Sequence, residues 1–506
     1  MALARVRSIA LVGITGHVID VEVDISDGLP GYTLLGLPDA ALSESKERVR
    51  SALINSGAPW PNKRVTVSLS PAWLPKSGSG FDLPIAIALL VAQGLLPHFD
   101  INDHVFLGEL ALTGAIKSIR GVLPALLAAA RNGMYRAILP MENLSEGSVV
   151  TSIESVGMRT LLDVISYLES GDTPEQQLLR TTELRLDSVD LSDVAGQSRA
   201  RFALEISAIG AHHLLFIGPP GTGKTMLAER IPTILPPLTQ ENLLTVGAIH
   251  SIAGLLTERG SLSTRPPFVA PHHTTTSTAM VGGGSHVIRP GACSLANEGV
   301  LFIDEAPECH RGVLDALRQP LESGHVTISR ASGTISYPAN FLLVLAANPC
   351  PCGRYSGRGR GCTCSAIMIR RYLQKLSGPL LDRIDIRTFV ESPTRIEMAD
   401  VTPGESSAQV RARVIDARSV AAERFSGMGW TLNSRIPTSQ LRNTYKAAKD
   451  GMVFLHNELE NERLSARGFH KVLRLSWSVA DRFGHVIPNR NDVEMAYQLR
   501  EGTELV

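Results

Sequence analysis

Gly218-Pro219-Pro220-Gly221-Thr222-Gly223-Lys224-Thr225 matches the phosphate-binding pattern G-x-x-x-x-G-K-[ST] at every defined position. Its flanks are those such a loop needs. His213 to Ile217 (His-Leu-Leu-Phe-Ile) is a short apolar run suited to a buried parallel strand, and Thr225-Met-Leu-Ala-Glu-Arg begins a helix. The glycines let the backbone wrap around phosphate oxygens, and the first helical turn points its free N–H groups at them. In that geometry Lys224 reaches the β- and γ-phosphates and the Thr225 hydroxyl joins the Mg²⁺ shell. ATP and Mg²⁺ are therefore the expected cofactors.

Two more buried strands follow. Gly299-Val-Leu-Phe-Ile-Asp304-Glu305 ends in two carboxylates about eighty residues after the loop. Asp304 is placed for the Mg²⁺ shell and Glu305 for orienting and polarising the attacking water. Phe341-Leu-Leu-Val-Leu-Ala-Ala-Asn348 ends in Asn348, placed to sense γ-phosphate and water. Between them a helix from Arg311 to Glu322 leads into His325-Val-Thr-Ile-Ser-Arg330-Ala-Ser-Gly333-Thr-Ile-Ser-Tyr337, two alternating runs that read as a β-hairpin with Arg330 at its tip. Ile384 to Val390 supplies a further strand. Residues 232 to 298 are a long insertion whose adjacent His272 and His273 lack other ligands at metal spacing, and they read as loop or core. This half of the chain is expected to be α/β, a parallel sheet between helices.

With 506 residues the chain has room for two to four domains, and 44% hydrophobic with 19% charged residues excludes a disordered protein. Net charge is zero, so any nucleic-acid surface must come from local clustering. The most apolar run, Leu83 to Leu96, is broken by Pro84, Gln93 and Gly94 and reads as a core helix, too short to span a bilayer. The first residues show no signal peptide and lead into the alternating strand pattern of residues 18 to 25, so a cytoplasmic protein without a membrane partner is expected. Four of the six cysteines crowd into Cys350-Pro-Cys352 and Cys362-Thr-Cys364 instead of spreading as a disulfide framework would. They read either as a Cys₄ zinc site, with C-x-C tighter than the usual C-x₂-C, or as reduced thiols of a loop. Around them Arg354, Arg358, Arg360, Arg370, Arg371 and Lys375 stand with Tyr355 and without Asp or Glu. That is a local anion-binding patch, and with Arg330 it supplies the candidate DNA contacts.

Residues 1 to 170 alternate strand patterns (Val18 to Ile25, Arg64 to Leu69, Val105 to Leu112, Arg136 to Pro140) with helix patterns (Leu42 to Ser56, Leu83 to Gln93, Val122 to Asn132). Leu74-Pro-Lys-Ser-Gly-Ser-Gly80-Phe-Asp-Leu-Pro84, Gly108-Glu-Leu-Ala-Leu-Thr-Gly114 and Gly121-Val-Leu-Pro-Ala-Leu-Leu-Ala-Ala129 resemble the Lon-protease-type fold of the ribosomal-protein-S5 superfamily. That resemblance implies an α+β domain. The family cuts peptides with a serine activated by a lysine, but the nucleophile position falls on Gly80 and the lysine position on Leu123. Ser79, one place away, is a poor nucleophile without a base beside it. A non-proteolytic domain used for binding or assembly is expected, followed by a polar linker over residues 171 to 188.

Asp190-Leu-Ser-Asp-Val194-Ala-Gly196-Gln197 resembles the adenine-side segment of AAA+ ATPases, which makes Val194 and Gly196 candidate base contacts. Leu376-Ser-Gly-Pro-Leu-Leu-Asp-Arg383 resembles the arginine-finger segment of the magnesium-chelatase and MCM branch, so Arg383 would reach the γ-phosphate bound by a neighbouring subunit. Helical patterns over Ser407 to Phe425, Ser439 to Ala448, Gly451 to Asn461, Ala466 to Phe483 and Asp492 to Arg500 imply a lid, with the ATPase α/β domain at 189–402 and the lid at 403–506. In the lid, Arg467 of Leu464-Ser-Ala-Arg matches the second sensor, which senses nucleotide. Together with Gly-Leu-Pro-Asp39, Pro-His-His-Thr274, Leu-Arg-Gln-Pro-Leu-Glu322 and Asn-Pro-Cys-Pro-Cys352-Gly, these segments resemble the ComM (YifB) family, magnesium-chelatase-like AAA+ proteins with an N-terminal Lon-type domain. The chain departs from that pattern at Val269 and at Trp477-Ser-Val-Ala-Asp, where basic residues are usual, and both departures bear on DNA contacts. The resemblance implies a homo-oligomeric ring, with six members the expected number, that hydrolyses ATP to move on single-stranded or branched DNA. Helicase or branch-migration work in recombination, competence or integration of foreign DNA is the implied role. The alternative is a magnesium-chelatase-like or regulatory ATPase that remodels a protein partner.

Overall fold

The computed structural model describes residues 2–76, 78–96, 103–175, 189–256, 262–284, 288–330, 333–355, 361–391 and 404–502. The strand expected at residues 18 to 25 is one arm of a longer hairpin, β1 (Ala2–Val12) and β2 (Thr15–Ser26), closed with Val12 opposite Thr15. β3 (Gly31–Leu35), α1 (Ser45–Asn55) and β4 (Arg64–Ser70) follow, and the sheet runs β1-β2-β4-β3 with only the β3–β4 pair parallel. On it lies α2 (Asp82–Ala92), buried along its whole length, which is the core helix expected in the Leu83 to Leu96 run.

The remainder of this half is a three-stranded parallel sheet of β5 (His104–Phe106), β6 (Arg136–Pro140) and β7 (Glu154–Met158), with α3 (Val122–Arg131) and α4 (Leu161–Ser170) between and after them. The strand expected over Val105 to Leu112 is split. At Gly108 the backbone turns away to bond Gly80 and Leu83 ahead of and within α2, and Glu109-Leu110 pairs with Ile116-Lys117 instead.

The ATPase half follows as α5 (Ser198–Gly210), β8 (Leu214–Ile217), α6 (Lys224–Ile234), α7 (Gln240–Ala253), β9 (Phe268–Val269), β10 (Val300–Ile303), β11 (His325–Arg330), β12 (Gly333–Pro338), β13 (Leu342–Ala347), α8 (Ala366–Leu373) and β14 (Ile386–Phe389). Its five-stranded sheet has the order β9-β10-β13-β8-β14 and every pair is parallel. Every residue of β8, β10 and β13 is buried, because helices cover both faces and no position can be polar. Ile217 lies opposite Ala347, and Ile303 opposite Leu345, so the three strands end at the same edge of the sheet. Beside this sheet β11 and β12 form a separate hairpin, with Arg330 paired to Gly333 at its end.

α9 (Ser407–Arg424), α10 (Thr438–Asn443), α11 (Lys449–Glu460), α12 (Ala466–Phe483) and α13 (Arg490–Glu501) complete the chain, with α9 against α5 and α6. The helix expected over Ser439 to Ala448 ends early. Tyr445 and Ala447 are drawn into the core, and the Ala448 N–H bonds the Pro488 carbonyl instead of continuing the helix. The two halves also touch: α3 packs on α7, and the Glu146 carboxylate accepts hydrogen bonds from the Leu123 N–H and the Ser251 hydroxyl.

At the edge of the sheet opposite the strand ends lies a polar knot. The His213 N–H donates to Asp385 at 3.1 Å, and its Nδ1 accepts from the Leu343 N–H at 3.1 Å, while Lys471 of α12 bonds Asp385 at 2.7 Å. Burial pushes His213 from 6.5 down to about 4, with the Asp385 charge opposing the shift. Burial works to raise the Asp385 pKa, but Lys471 and His212 outweigh it and hold it well below the usual carboxylate value. A histidine so depressed binds its proton less well folded than unfolded. It contributes stability above about pH 6.5 that is lost as pH falls toward about 4, by at most about 1.4 kcal/mol per pH unit. His213→Asn keeps an acceptor for Leu343 and should flatten the decline of the urea midpoint across that window; a decline as steep as wild type would contradict the assignment.

Candidate active site

The loop between β8 and α6 turns through Gly221 and Gly223, at φ 78° and 89°, a left-handed backbone that side chains resist. The Thr222 hydroxyl closes the turn on the Pro219 carbonyl at 2.9 Å. Lys224 Nζ donates to the carbonyls of Gly218 (2.7 Å) and Pro219 (2.8 Å) and to Asn348 Oδ1 (3.2 Å). Burial lowers the Lys224 pKa, and the nearby Asp304 and Glu305 charges oppose that shift. The ammonium thus stays in the loop, held by oxygens that phosphate oxygens can replace.

Because the parallel strands end at one edge of the sheet, Asp304 and Asn348 arrive beside this loop. The Thr225 hydroxyl donates to Asp304 Oδ2 at 2.8 Å. A hydroxyl and a carboxylate in contact form an all-oxygen donor set of the kind Mg²⁺ takes while keeping waters and phosphate oxygens. Glu305 follows with a left-handed backbone (φ 48°), unusual for a non-glycine residue and a mark of a functional turn. Its carboxylate stands 3.5 Å from His273 Nδ1, and the His272 and His273 rings lie 4.1 Å apart.

The turn before α5 is tied to the same loop. Gln197 donates to the Thr222 carbonyl at 3.2 Å and also to the Glu391 carbonyl. Val194 is buried, with its carbonyl taken by Arg201 at 3.0 Å, and Gly196 follows it. Loop, acidic strand end, Asn348 and the turn before α5 therefore form one group.

Arg383 and Arg467 lie elsewhere. Arg383 pairs with Glu322 and donates to the Pro379 carbonyl, while Arg467 pairs with Asp382. Both line a cleft of about 1350 Å³ together with Arg318 and Lys471, and no residue of the phosphate loop lines it. Of the basic patch, Arg354, Tyr355, Arg370 and Arg371 are exposed, and Arg358 and Arg360 lie outside the described residues. Lys375 is engaged by Glu308 at 3.3 Å, so the patch has an acidic neighbour that its own stretch of sequence does not show. Cys350, Cys352, Cys362 and Cys364 converge, and Arg330 is exposed at the hairpin end. In the N-terminal half the Ser79 hydroxyl donates to Glu109, a base that sequence proximity did not reveal. A carboxylate is roughly six pKa units weaker a base than the amine of a Ser–Lys pair.

Three models of magnesium-chelatase proteins match the chain: "Magnesium chelatase, subunit ChlI" over residues 190–398, "Subunit ChlI of Mg-chelatase" over 21–143, and "Magnesium chelatase, subunit ChlI C-terminal" over 404–500. An uncharacterized protein of Mycobacterium tuberculosis is 47% identical over 502 residues, 99% of each chain. The competence protein ComM of Haemophilus influenzae is 41% identical over 494 residues, 96% of this chain and 94% of that one. YifB of Escherichia coli, also uncharacterized, is 40% identical over 501 residues, 99% and 97%. The chain belongs to the ComM/YifB family. It is a magnesium-chelatase-like AAA+ ATPase, a type that uses ATP and Mg²⁺ and whose members typically oligomerise. Among the described residues no helix is long and apolar enough to cross a membrane.

His273 is the site residue that pattern reading assigned to loop or core. Its only sequence signal is the Pro-His-His-Thr run, more than thirty residues before Glu305. If His273 holds the Glu305 carboxylate in place, His273→Ala should lower ATP turnover on the order of 10²-fold while leaving nucleotide affinity intact. An unchanged kcat would remove it from the site.

Proposed function

We propose that the protein is a ring-forming, ATP-driven motor on single-stranded or branched DNA, of the helicase or branch-migration kind, working in the cytoplasm in recombination or integration of foreign DNA. Residues 1–170 serve as a non-proteolytic Lon-type unit, 189–402 as the ATPase core and 403–506 as the lid. The observation that carries the reading is the Arg383–Glu322 pair. Glu322 sits three residues before His325, the first residue of the hairpin that ends at Arg330. A finger drawn toward a neighbour's γ-phosphate would let go of Glu322 and free the root of the hairpin.

In this reading Lys224 and the loop amides hold the phosphates, Asn348 senses the γ-phosphate, Glu305 orients the attacking water, and Val194 with Gly196 lies along the base. Mg²⁺ at Thr225 and Asp304 would neutralise phosphate charge. Arg383 and Arg467 share a cleft that no phosphate-loop residue lines, so they complete the site of the adjacent subunit. Arg383→Ala should cost about 10³- to 10⁵-fold in turnover. Lys224→Ala should be equally inactive, yet mixing the two variants should restore activity, since one pairing joins an intact loop to an intact finger. Mixtures as inactive as either parent would refute the trans arrangement.

Arg330 on the hairpin and Arg354, Arg358, Arg360, Arg370 and Arg371 with Tyr355 are the DNA contacts in this scheme. Phosphate contacts make affinity fall with salt in proportion to the charges neutralised, and Tyr355 can stack on an unpaired base. Arg330→Ala should weaken DNA binding and reduce the slope of log K against log salt by about one, with basal ATPase and assembly retained. Unchanged affinity and slope would take the hairpin off the DNA path and favour a protein partner as the remodelled substrate.

A further inference from the structure

The four clustered cysteines begin two residues after Asn348 and take no part in the nucleotide site described above. Cys350 Sγ lies 3.3 Å from Cys352 Sγ and 3.7 Å from Cys362 Sγ, and Cys352 and Cys362 are 3.7 Å apart. All four ligand sulfurs, Cys364 included, fall within 4.8 Å of one another, and none is in a disulfide. Four sulfurs about 2.3 Å from a central zinc sit about 3.8 Å from each other at tetrahedral angles. The cluster needs only small adjustments to meet that figure. It is also too tight for a multi-iron cluster, whose bridging sulfides hold the outer thiolates further apart.

The surroundings suit an ion as well. The Cys364 N–H points at Cys362 Sγ at 3.4 Å, and the Arg354 N–H bonds the Cys352 sulfur. Such N–H···S bonds are the outer-shell support that metal thiolates use. The site is anchored in the ATPase core: Cys350 is fully buried two residues after Asn348, and Gly353 lies against Pro220 of the phosphate loop. A Cβ at Gly353 would come within 2.7 Å of the Pro220 ring, and its φ of 73° already excludes most side chains. On the far side Cys364 is followed by Ser365, whose hydroxyl caps α8, the helix carrying Arg370 and Arg371.

We propose that Cys350, Cys352, Cys362 and Cys364 bind one structural Zn²⁺ per chain, a clamp seated on the phosphate loop that fixes the basic segment beside it. The site stands on its own geometry, whatever substrate the motor acts on. Full-length protein purified without chelators should contain one zinc per chain by elemental analysis. The double variant Cys352→Ser/Cys364→Ser should lose it, and Cys293→Ser/Cys309→Ser, at the two buried cysteines elsewhere, should keep it. Should the first variant fail to fold, the wild type still decides: a thiol reagent should release one equivalent of zinc to a metallochromic dye as four thiols react. Protein without zinc after incubation with the free metal, or protein holding iron and labile sulfide instead, overturns the proposal.

Discussion

The parallel register of β10, β13 and β8 is the constraint from which the nucleotide site follows. Ile303 and Leu345 are partners, as are Ala347 and Ile217, so the residues after each strand emerge at one edge, the one after β10 two positions short of the other two. They are Asp304, Asn348 and Gly218, and no contact between distant side chains is needed to assemble them. Apolar strands buried on both faces hold this register firmly, because a shifted pairing leaves backbone donors unpaired in a dry interior. The Lys224–Asn348 and Thr225–Asp304 bonds report that alignment.

The opposite edge of the same sheet carries the mechanical connections. Asp385 opens the approach to β14, and the Arg383 segment just before it is gripped by two residues of α12: Arg467 holds Asp382, and Lys471 holds Asp385. Arg500 of α13 adds a bond to the Ile384 carbonyl. Lys471 and Asp385 are largely removed from water, and breaking a buried pair by removing one partner typically costs about 3–5 kcal/mol. These contacts fasten α12 and α13 to the segment that carries Arg383. Glu322, exposed just before the β11–β12 hairpin, pairs with Arg383 from outside this cluster.

Those features were legible in the sequence to the degree that they are local. β8, β10 and β13 announce themselves because strands covered on both faces must be apolar throughout, and α12 runs from Ala466 to Phe483 as its periodicity indicates. The hairpin was readable from two alternating runs about Ala-Ser-Gly. What escaped depends on contacts between residues far apart. β1 has a weak pattern and is fixed by pairing with β2. The pairs Lys375–Glu308 and His273–Glu305 cannot be seen in any window of composition. Arg467 matches a sensor by its motif, but its position next to Arg383 is set by how α12 docks on the core.

The N-terminal half gains a physical meaning from the same kind of contact. Leu123, on which the lysine position falls in the Lon-type resemblance, is wholly buried in a cluster that Leu244 and Leu262 of the ATPase half pack against. A lysine there would lose its hydration with no carboxylate freed to meet it, since Glu146 is already spent on the Leu123 N–H, Asn143 and Ser251. Burial raises the Glu146 pKa, yet these three donors stabilise its charged form and make it a polar tie between the halves. At the other contact Ile14, in the turn between β1 and β2, packs against the cluster that contains Val326, Ile328 and Tyr337 of the β11–β12 hairpin. The N-terminal sheet therefore braces both α7 and the hairpin root, and any movement of the hairpin tip is made relative to that brace.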